Sequence, residues 1–83
     1  MNITLPDWYD DLTEFECESK GCILNFNVIV NGRRFLFNFY NLARFTQDAM
    51  EEIAGSGYFK DADAVIIPEV TRANVISYLN TLI

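Results

Sequence analysis

The most constraining feature of the sequence is the pair Asn31-Gly32, which separates two runs of alternating residues at positions 22–30 and 33–40. Asn-Gly is the preferred pair for a two-residue type I′ hairpin turn, because both central residues must adopt positive φ. Such a short loop also sets the register of the two strands. We therefore expect four facing pairs, Val30–Arg33, Val28–Phe35, Phe26–Phe37 and Leu24–Phe39.

This register gives the hairpin one apolar face and one mixed face, because successive side chains of a strand point to opposite sides. The face that carries the facing pairs is almost wholly aromatic and aliphatic, so we predict that it forms the core. The other face is predicted to be open to water, as is common in antiparallel sheets. It comprises Asn25, Asn27, Arg34 and Asn38 together with the outward apolar residues Ile23, Ile29, Leu36 and Tyr40.

The segment before the hairpin, Thr13-Glu14-Phe15-Glu16-Cys17-Glu18, also alternates with period two. It is predicted to form a first strand joined by a turn at Lys20-Gly21. In that arrangement Phe15 and Cys17 add to the core, while the three glutamates form an outward row about 6.5–7 Å apart.

After the hairpin the apolar spacing changes to three and four, which indicates helices. Asn41 is predicted to cap a helix whose apolar face is Leu42, Phe45, Ala49 and Ile53, with Gly55 in the left-handed position at its end. Residues 64–67 are predicted to form a short edge strand before Pro68. Thr71 is predicted to cap a last helix with an apolar stripe of Val75, Ile76, Leu79, Leu82 and Ile83.

The predicted fold is therefore a single α+β domain, residues 1–83, in the order β-β-β-α-β-α. It has a three-stranded antiparallel meander, a short fourth edge strand and two helices packed on one face. The length of 83 residues allows one domain, and a hydrophobic fraction of 51% is too high for a disordered tail.

Composition argues against several classes of function. The chain has no histidine, so the usual general base is missing for any serine or cysteine nucleophile. Cys17 and Cys22 alone fall short of a zinc site, and Asp61-Ala62-Asp63 lacks the other ligands of a calcium loop. We therefore expect no enzymatic activity, no cofactor and no metal. We also expect two reduced cysteines and, since no signal peptide or membrane-spanning run is present, a cytoplasmic location.

Charge is the most informative functional feature, because the formal net charge of −6 is not spread evenly. Residues 1–18 contain six acids and no base, whereas residues 19–83 contain six acids and six bases. The acidic balance argues against direct binding to nucleic acid or to an anionic membrane. A concentrated negative face steers a basic protein partner instead. The predicted partner-binding residues are Trp8, Asp10, Asp11, Glu14, Glu16, Glu18, Leu36 and Tyr40.

Two classes of function follow from this pattern. The first is a non-catalytic inhibitor that blocks the basic groove of a nucleic-acid-binding protein. Short acidic domains of this kind occur among phage and mobile-element anti-defence proteins, including anti-CRISPR proteins, although no motif here identifies that group. An immunity protein against a nuclease toxin would use the same physics. The second class is a self-associating accessory protein, a homodimer through Leu36 and Tyr40, in which the acids confer only solubility.

Overall fold

The computed structural model describes residues 2–83, which form a four-stranded mixed sheet in the order β1-β2-β3-β4 with three helices. The α+β class is thus confirmed, as is a sheet of three antiparallel strands followed by a short edge strand. In chain order the elements are β1 (Ile3–Thr4), α1 (Asp11–Lys20), β2 (Cys22–Val30), β3 (Arg33–Tyr40), α2 (Leu42–Ser56), β4 (Ala64–Ile66) and α3 (Arg72–Leu79), followed by a 3₁₀ turn at Asn80–Leu82.

The central hairpin confirms the turn and most of the predicted register. Asn31 has φ of 51° and Gly32 has φ of 78°, as a type I′ turn requires. The facing pairs Val30–Arg33, Val28–Phe35 and Phe26–Phe37 are all present. Their face is the core, where Phe26, Val28, Val30 and Phe39 are buried with Val70, Val75 and Leu79.

Beyond Phe26 the predicted register is wrong, because β2 contains a bulge. Asn25 has φ of 56°, and its N–H is held by the side-chain Oδ1 of Asn38 at 2.7 Å. The irregularity reverses the inward and outward alternation. As a result Ile23, not Leu24, lies opposite Phe39 and is buried, while Leu24 is half-exposed.

The prediction of a strand at residues 13–18 is also wrong, because this segment lies within helix α1. The first strand of the sheet is instead β1, which pairs antiparallel with the end of β2. Six residues of alternation could not outweigh the helix-capping signals on either side. Asp10 accepts a hydrogen bond from the Thr13 N–H at 2.8 Å, and Gly21 ends the helix with φ of 76°.

Helix α2 begins after the predicted cap, since the Arg44 N–H donates to Asn41 Oδ1 at 2.8 Å. It runs one residue past Gly55, and the left-handed residue that ends it is Gly57, with φ of 90°. The prediction that both later helices cover the core face is wrong for α2. None of its residues is buried, and its Phe45 contacts Tyr40, which lies on the sheet face opposite to Phe39.

Helix α3 follows the prediction closely. Its first turn is capped by Thr71, whose Oγ1 accepts from the Asn74 N–H at 3.2 Å. Val75 and Leu79 are buried, whereas Ile83 at the end of the predicted stripe is exposed. Together α1 and α3 cover the core face of the sheet, because Cys17 of α1 and Tyr78 of α3 both pack against the core cluster.

Candidate interaction surface on helix α1

Helix α1 carries most of the acidic segment, and its two ends are firmly held. Asp10 caps its start, and the hydrogen bond from Thr13 lowers the pKa of the Asp10 carboxyl, which strengthens the cap at neutral pH. At its end the Arg44 guanidinium donates to the carbonyl of Lys20 at 3.0 Å. The Asn41 N–H donates to the carbonyl of Gly21 at 2.9 Å. Helix α1 is therefore held in place at both of its ends.

The inward side of α1 uses Glu14 for structure. Glu14 Oε2 accepts from the backbone N–H of Arg72 at 2.8 Å, at the first residue of α3. The Arg72 side chain lies 3.2 Å from Asp11 Oδ1 and 3.7 Å from Glu14 Oε1, and its guanidinium stands over the Tyr9 ring. A carboxylate at a helix N-terminus is favourable, so Glu14 joins α1 to α3. We conclude that Glu14 is a structural residue in this fold.

The outward side of α1 presents apolar side chains within a frame of acids. Leu12 is 67% exposed and Phe15 is 66% exposed, and the two are neighbours at a spacing of three residues. By helical geometry Glu16 lies beside Leu12 on one flank, and Asp11 and Glu18 lie beside Phe15 on the other. Glu16 and Glu18 have no salt-bridge partner within residues 2–83. We call Asp11, Leu12, Phe15, Glu16 and Glu18 the α1 surface.

Trp8 is placed on a different side of the helix from the α1 surface. Its ring is half-exposed and meets Phe26 edge-on with centroids 5.9 Å apart. It lines a shallow groove of about 300 Å³ together with Cys17, Lys20 and Leu24. Since Cys17 and Phe15 point to opposite sides of α1, the Trp8 groove is separate from the α1 surface.

Leu36 and Tyr40 do not join the acids on one face, so the predicted acidic sheet surface does not exist. The predicted surface depended on residues 13–18 being a strand of the same sheet, and they form a helix on its core side. Leu36 is exposed on the face opposite to the core. Tyr40 is buried beneath Phe45, with ring centroids 5.4 Å apart.

The structure gives Asp61 a role that the sequence interpretation missed. Its carboxylate accepts from Tyr40 Oη at 3.1 Å, from Asn38 Nδ2 at 3.1 Å and from the N–H of Asp63 at 3.0 Å. These bonds attach the segment after α2 to strand β3. The only signal in the sequence is the strand position of Asn38 and Tyr40 on one face, which does not reveal a partner 21 to 23 residues away.

The surroundings of the two cysteines do not activate their thiols. Burial is the main cause that raises the pKa of the Cys17 and Cys22 thiols, so neither is activated as a thiolate, and both are free. Residues 2–83 contain no group of three or more side chains placed to hold a metal ion. None of the helices within 2–83 combines the length and the apolar character that crossing a bilayer requires.

Comparison of the chain with protein-family models, with curated proteins and with solved structures found no match.

Proposed function

We propose that this protein is a small, non-catalytic binding module that docks its α1 surface on a basic protein. The observation that carries the proposal is the exposure of Leu12 and Phe15 within a frame of carboxylates. Interface centres are enriched in aromatic residues, whereas charged residues are tolerated at the rim. Leu12 and Phe15 supply such a centre, and Glu16 and Glu18 supply the rim.

The electrostatic part of the proposal rests on which acids are free to attract a partner. Asp10 and Glu14 are used within the fold, so the attraction comes chiefly from Glu16 and Glu18 with Asp11 behind them. Carboxylates in this arrangement steer a basic surface during encounter and raise the association rate at low salt.

The proposed mechanism is inhibition by occupation. A basic groove that receives the phosphates of a nucleic acid would receive the α1 carboxylates instead, while Phe15 anchors the contact. This is the mode of action expected of a phage or mobile-element inhibitor such as an anti-CRISPR-like protein, acting in the cytoplasm. An immunity protein that neutralises a nuclease toxin would use the same contact.

The proposal is tested by capture of the partner from the host lysate, followed by calorimetry with the isolated partner. Phe15→Ala is expected to weaken the complex by about thirtyfold, the effect of a central anchor worth roughly 2 kcal/mol. The double variant Glu16→Lys, Glu18→Lys is expected to slow association and to weaken the salt dependence. Added nucleic acid should compete with the protein for its partner.

The matched control is Asp63→Lys with Glu69→Lys, which changes the net charge equally at exposed acids outside α1. If this control weakens binding as much as the α1 double variant, only net charge matters and the α1 surface is not the docking site. Retention of full affinity by Phe15→Ala would also contradict the proposal.

A further inference from the structure

Strand β3 leaves part of its outer edge without a neighbouring strand. The short strand β4 pairs only with Asn38–Tyr40, so the first part of β3, Arg33–Phe37, extends beyond the start of β4. Within residues 2–83, no turn, loop or side-chain hydrogen bond reaches the backbone of Arg34 or Leu36. We call Arg33–Phe37 on this side of the sheet the open β3 edge.

The direction of the backbone groups on this edge follows from the hairpin and from one observed contact. In a two-residue hairpin the first residue after the turn, Arg33, bonds to the facing strand β2, and so does every second residue after it. The residues between them point their N–H and C=O groups to the outer edge, as Asn38 does when its N–H donates to the Asp63 carbonyl at 2.9 Å. Arg34 and Leu36 have the same parity as Asn38. Each therefore presents a donor and an acceptor to the outer edge, which is the pattern that an added strand pairs with.

The side chains along the open β3 edge change in character from one end to the other. Arg33 and Arg34 are exposed and have no salt-bridge partner within residues 2–83. Leu36 is 40% exposed, and Phe35 is half-buried on the core face. Where β4 begins, the exposed Asp63 follows. The edge is therefore basic at its start, apolar in its middle and acidic at its end.

We propose that the open β3 edge binds an extended segment of another protein, which adds to the sheet as an antiparallel strand. Antiparallel pairing is slightly more stable per residue than parallel pairing. It lets one residue of the segment exchange both of its main-chain hydrogen bonds with Arg34, while a second residue does the same with Leu36. The main chain then supplies affinity, and the side chains supply specificity.

The charges along the edge determine the chemistry of the segment. Acidic residues belong opposite Arg33 and Arg34, apolar residues belong opposite Phe35 and Leu36, and a basic residue belongs beside Asp63. From its N-terminus, the antiparallel segment therefore has a basic residue, two apolar residues and two acidic residues. A second copy of this chain does not fit, because pairing of two β3 edges would set the arginines opposite apolar residues and leave them without facing acids.

This contact is separate from the function proposed above, since the open β3 edge shares no residue with the α1 surface. It also differs from the homodimer through Leu36 and Tyr40 that the sequence suggested, because the backbone at the sheet edge makes the contact and the sheet face does not. A short strand covers much less than the standard interface of about 800 Å² per partner, so we expect weak, reversible binding.

NMR titration of the whole chain with the acetylated and amidated peptide Lys-Val-Val-Glu-Glu tests this contact. We expect a dissociation constant of about 1 mM. Near saturation, hydrogen exchange at the amides of Arg34 and Leu36 should slow by about fivefold, whereas the amide of Phe35, which bonds to β2, should keep its exchange rate. Unchanged exchange at Arg34 and Leu36, or slowing confined to other amides, would overturn the proposal.

The matched control is the reversed peptide Glu-Glu-Val-Val-Lys, which has the same composition and the same charge. In an antiparallel strand it would bring its lysine to the arginines and its glutamates to Asp63, so it should bind at least about fivefold more weakly. Equal binding of the two peptides would show that net charge or a parallel strand accounts for the contact, and it would overturn the proposal.

Variants of the edge separate the role of the backbone from that of the side chain. Leu36→Pro removes an N–H that β2 does not use, so the hairpin should tolerate it, and peptide binding should weaken by at least about tenfold. Leu36→Val keeps this N–H and should bind within about twofold of the wild type. Wild-type affinity in Leu36→Pro would contradict the proposal.

Arg34→Glu keeps the test decisive if Leu36→Pro does not fold. It leaves the backbone intact and places a carboxylate opposite an acid of the peptide, so binding should weaken by at least about tenfold. Unchanged binding by this variant would overturn the proposal. Sedimentation equilibrium without peptide provides the last check, because a dimer that Arg34→Glu abolishes would show that the edge takes a second copy instead.

Discussion

Replacing tyrosine by phenylalanine should have opposite effects on the stability of the fold at two buried positions, Tyr9 and Tyr40. The Tyr9 hydroxyl is buried and has no hydrogen-bond partner among residues 2–83. The Tyr40 hydroxyl is also on a buried side chain, but it donates to Asp61 Oδ2 at 3.1 Å. We expect Tyr9→Phe to stabilise the fold and Tyr40→Phe to destabilise it.

The magnitude for Tyr9→Phe follows from what the substitution keeps and what it removes. The phenyl ring keeps its edge-on contact with Phe26 at 5.1 Å and its place beneath the Arg72 guanidinium at 5.2 Å. Only the unpaired hydroxyl is lost, and burying such a group costs about 1–3 kcal/mol. Allowing for partial relaxation, we expect a gain of about 1 kcal/mol in the free energy of unfolding.

Tyr40→Phe removes a hydrogen bond to a carboxylate, which contributes about 1.5–3 kcal/mol. Asp61 keeps its bonds from Asn38 and Asp63, so the loss is not compounded by an orphaned charge. We expect a net destabilisation of about 2 kcal/mol. The free energies of unfolding of the two variants should therefore differ by about 3 kcal/mol. For a small domain whose free energy of unfolding falls by about 1 kcal/mol per molar urea, this moves the unfolding midpoint by about 3 M.

Urea unfolding followed by circular dichroism at neutral pH measures this difference. Equal slopes for the two variants and the wild type would show that the denaturant response of the unfolded state is unchanged. If both variants lower the midpoint by similar amounts, the hydroxyl of Tyr9 has a partner in solution and the reasoning is refuted.

The same variants report on alkaline stability. Burial is the main cause that raises the pKa of Tyr9 and of Tyr40 from 10.0 to about 12, and for Tyr40 the hydrogen bond to Asp61 adds to it. The folded state therefore holds these protons more tightly than the unfolded state. This contribution to stability is complete below pH 10 and is lost as the pH rises through 12. Each Tyr→Phe variant should lose less stability than the wild type over this range.

The remaining predictions concern the ends of the helices. Gly21→Ala should lower the free energy of unfolding by about 2–3 kcal/mol, because φ is positive there and the new Cβ would stand 2.7 Å from Asn41 Nδ2. Gly55→Ala lies inside α2 with nothing within 4 Å of the new Cβ, and it should raise the free energy of unfolding by about 0.5–1 kcal/mol. Equal shifts of the melting temperature in the two variants would contradict this comparison. Glu14→Gln should lower the free energy of unfolding by about 1 kcal/mol through its contact with Arg72 at the start of α3, and an unchanged melting temperature would show that Glu14 is not structural.

Local signals accounted for much of the fold. The Asn31-Gly32 turn, the caps at Asn41 and Thr71, and the apolar face centred on Phe26 are each determined by residues close in sequence, so they could be predicted. Helix α1 was also marked, by Asp10 before it and Gly21 after it, but the alternation between them was given more weight. This error also misplaced the candidate site. A strand would expose Glu14 and bury Phe15, whereas in helix α1 Phe15 is exposed and Glu14 contacts Arg72.

What the sequence by itself determined is therefore the hairpin, its turn and the apolar face centred on Phe26, because period and turn chemistry act over a few residues. Only the tertiary structure decided three other features. Asn38 stabilises the bulge at Asn25, which turns Ile23 inward. Arg72 binds Glu14 on the inward side of α1, and Phe15 is left exposed. Arg44 and Phe45 attach α2 to the body, so Leu42, Met50 and Ile53 face outward. Each depends on a contact between residues distant in sequence, which no local pattern records.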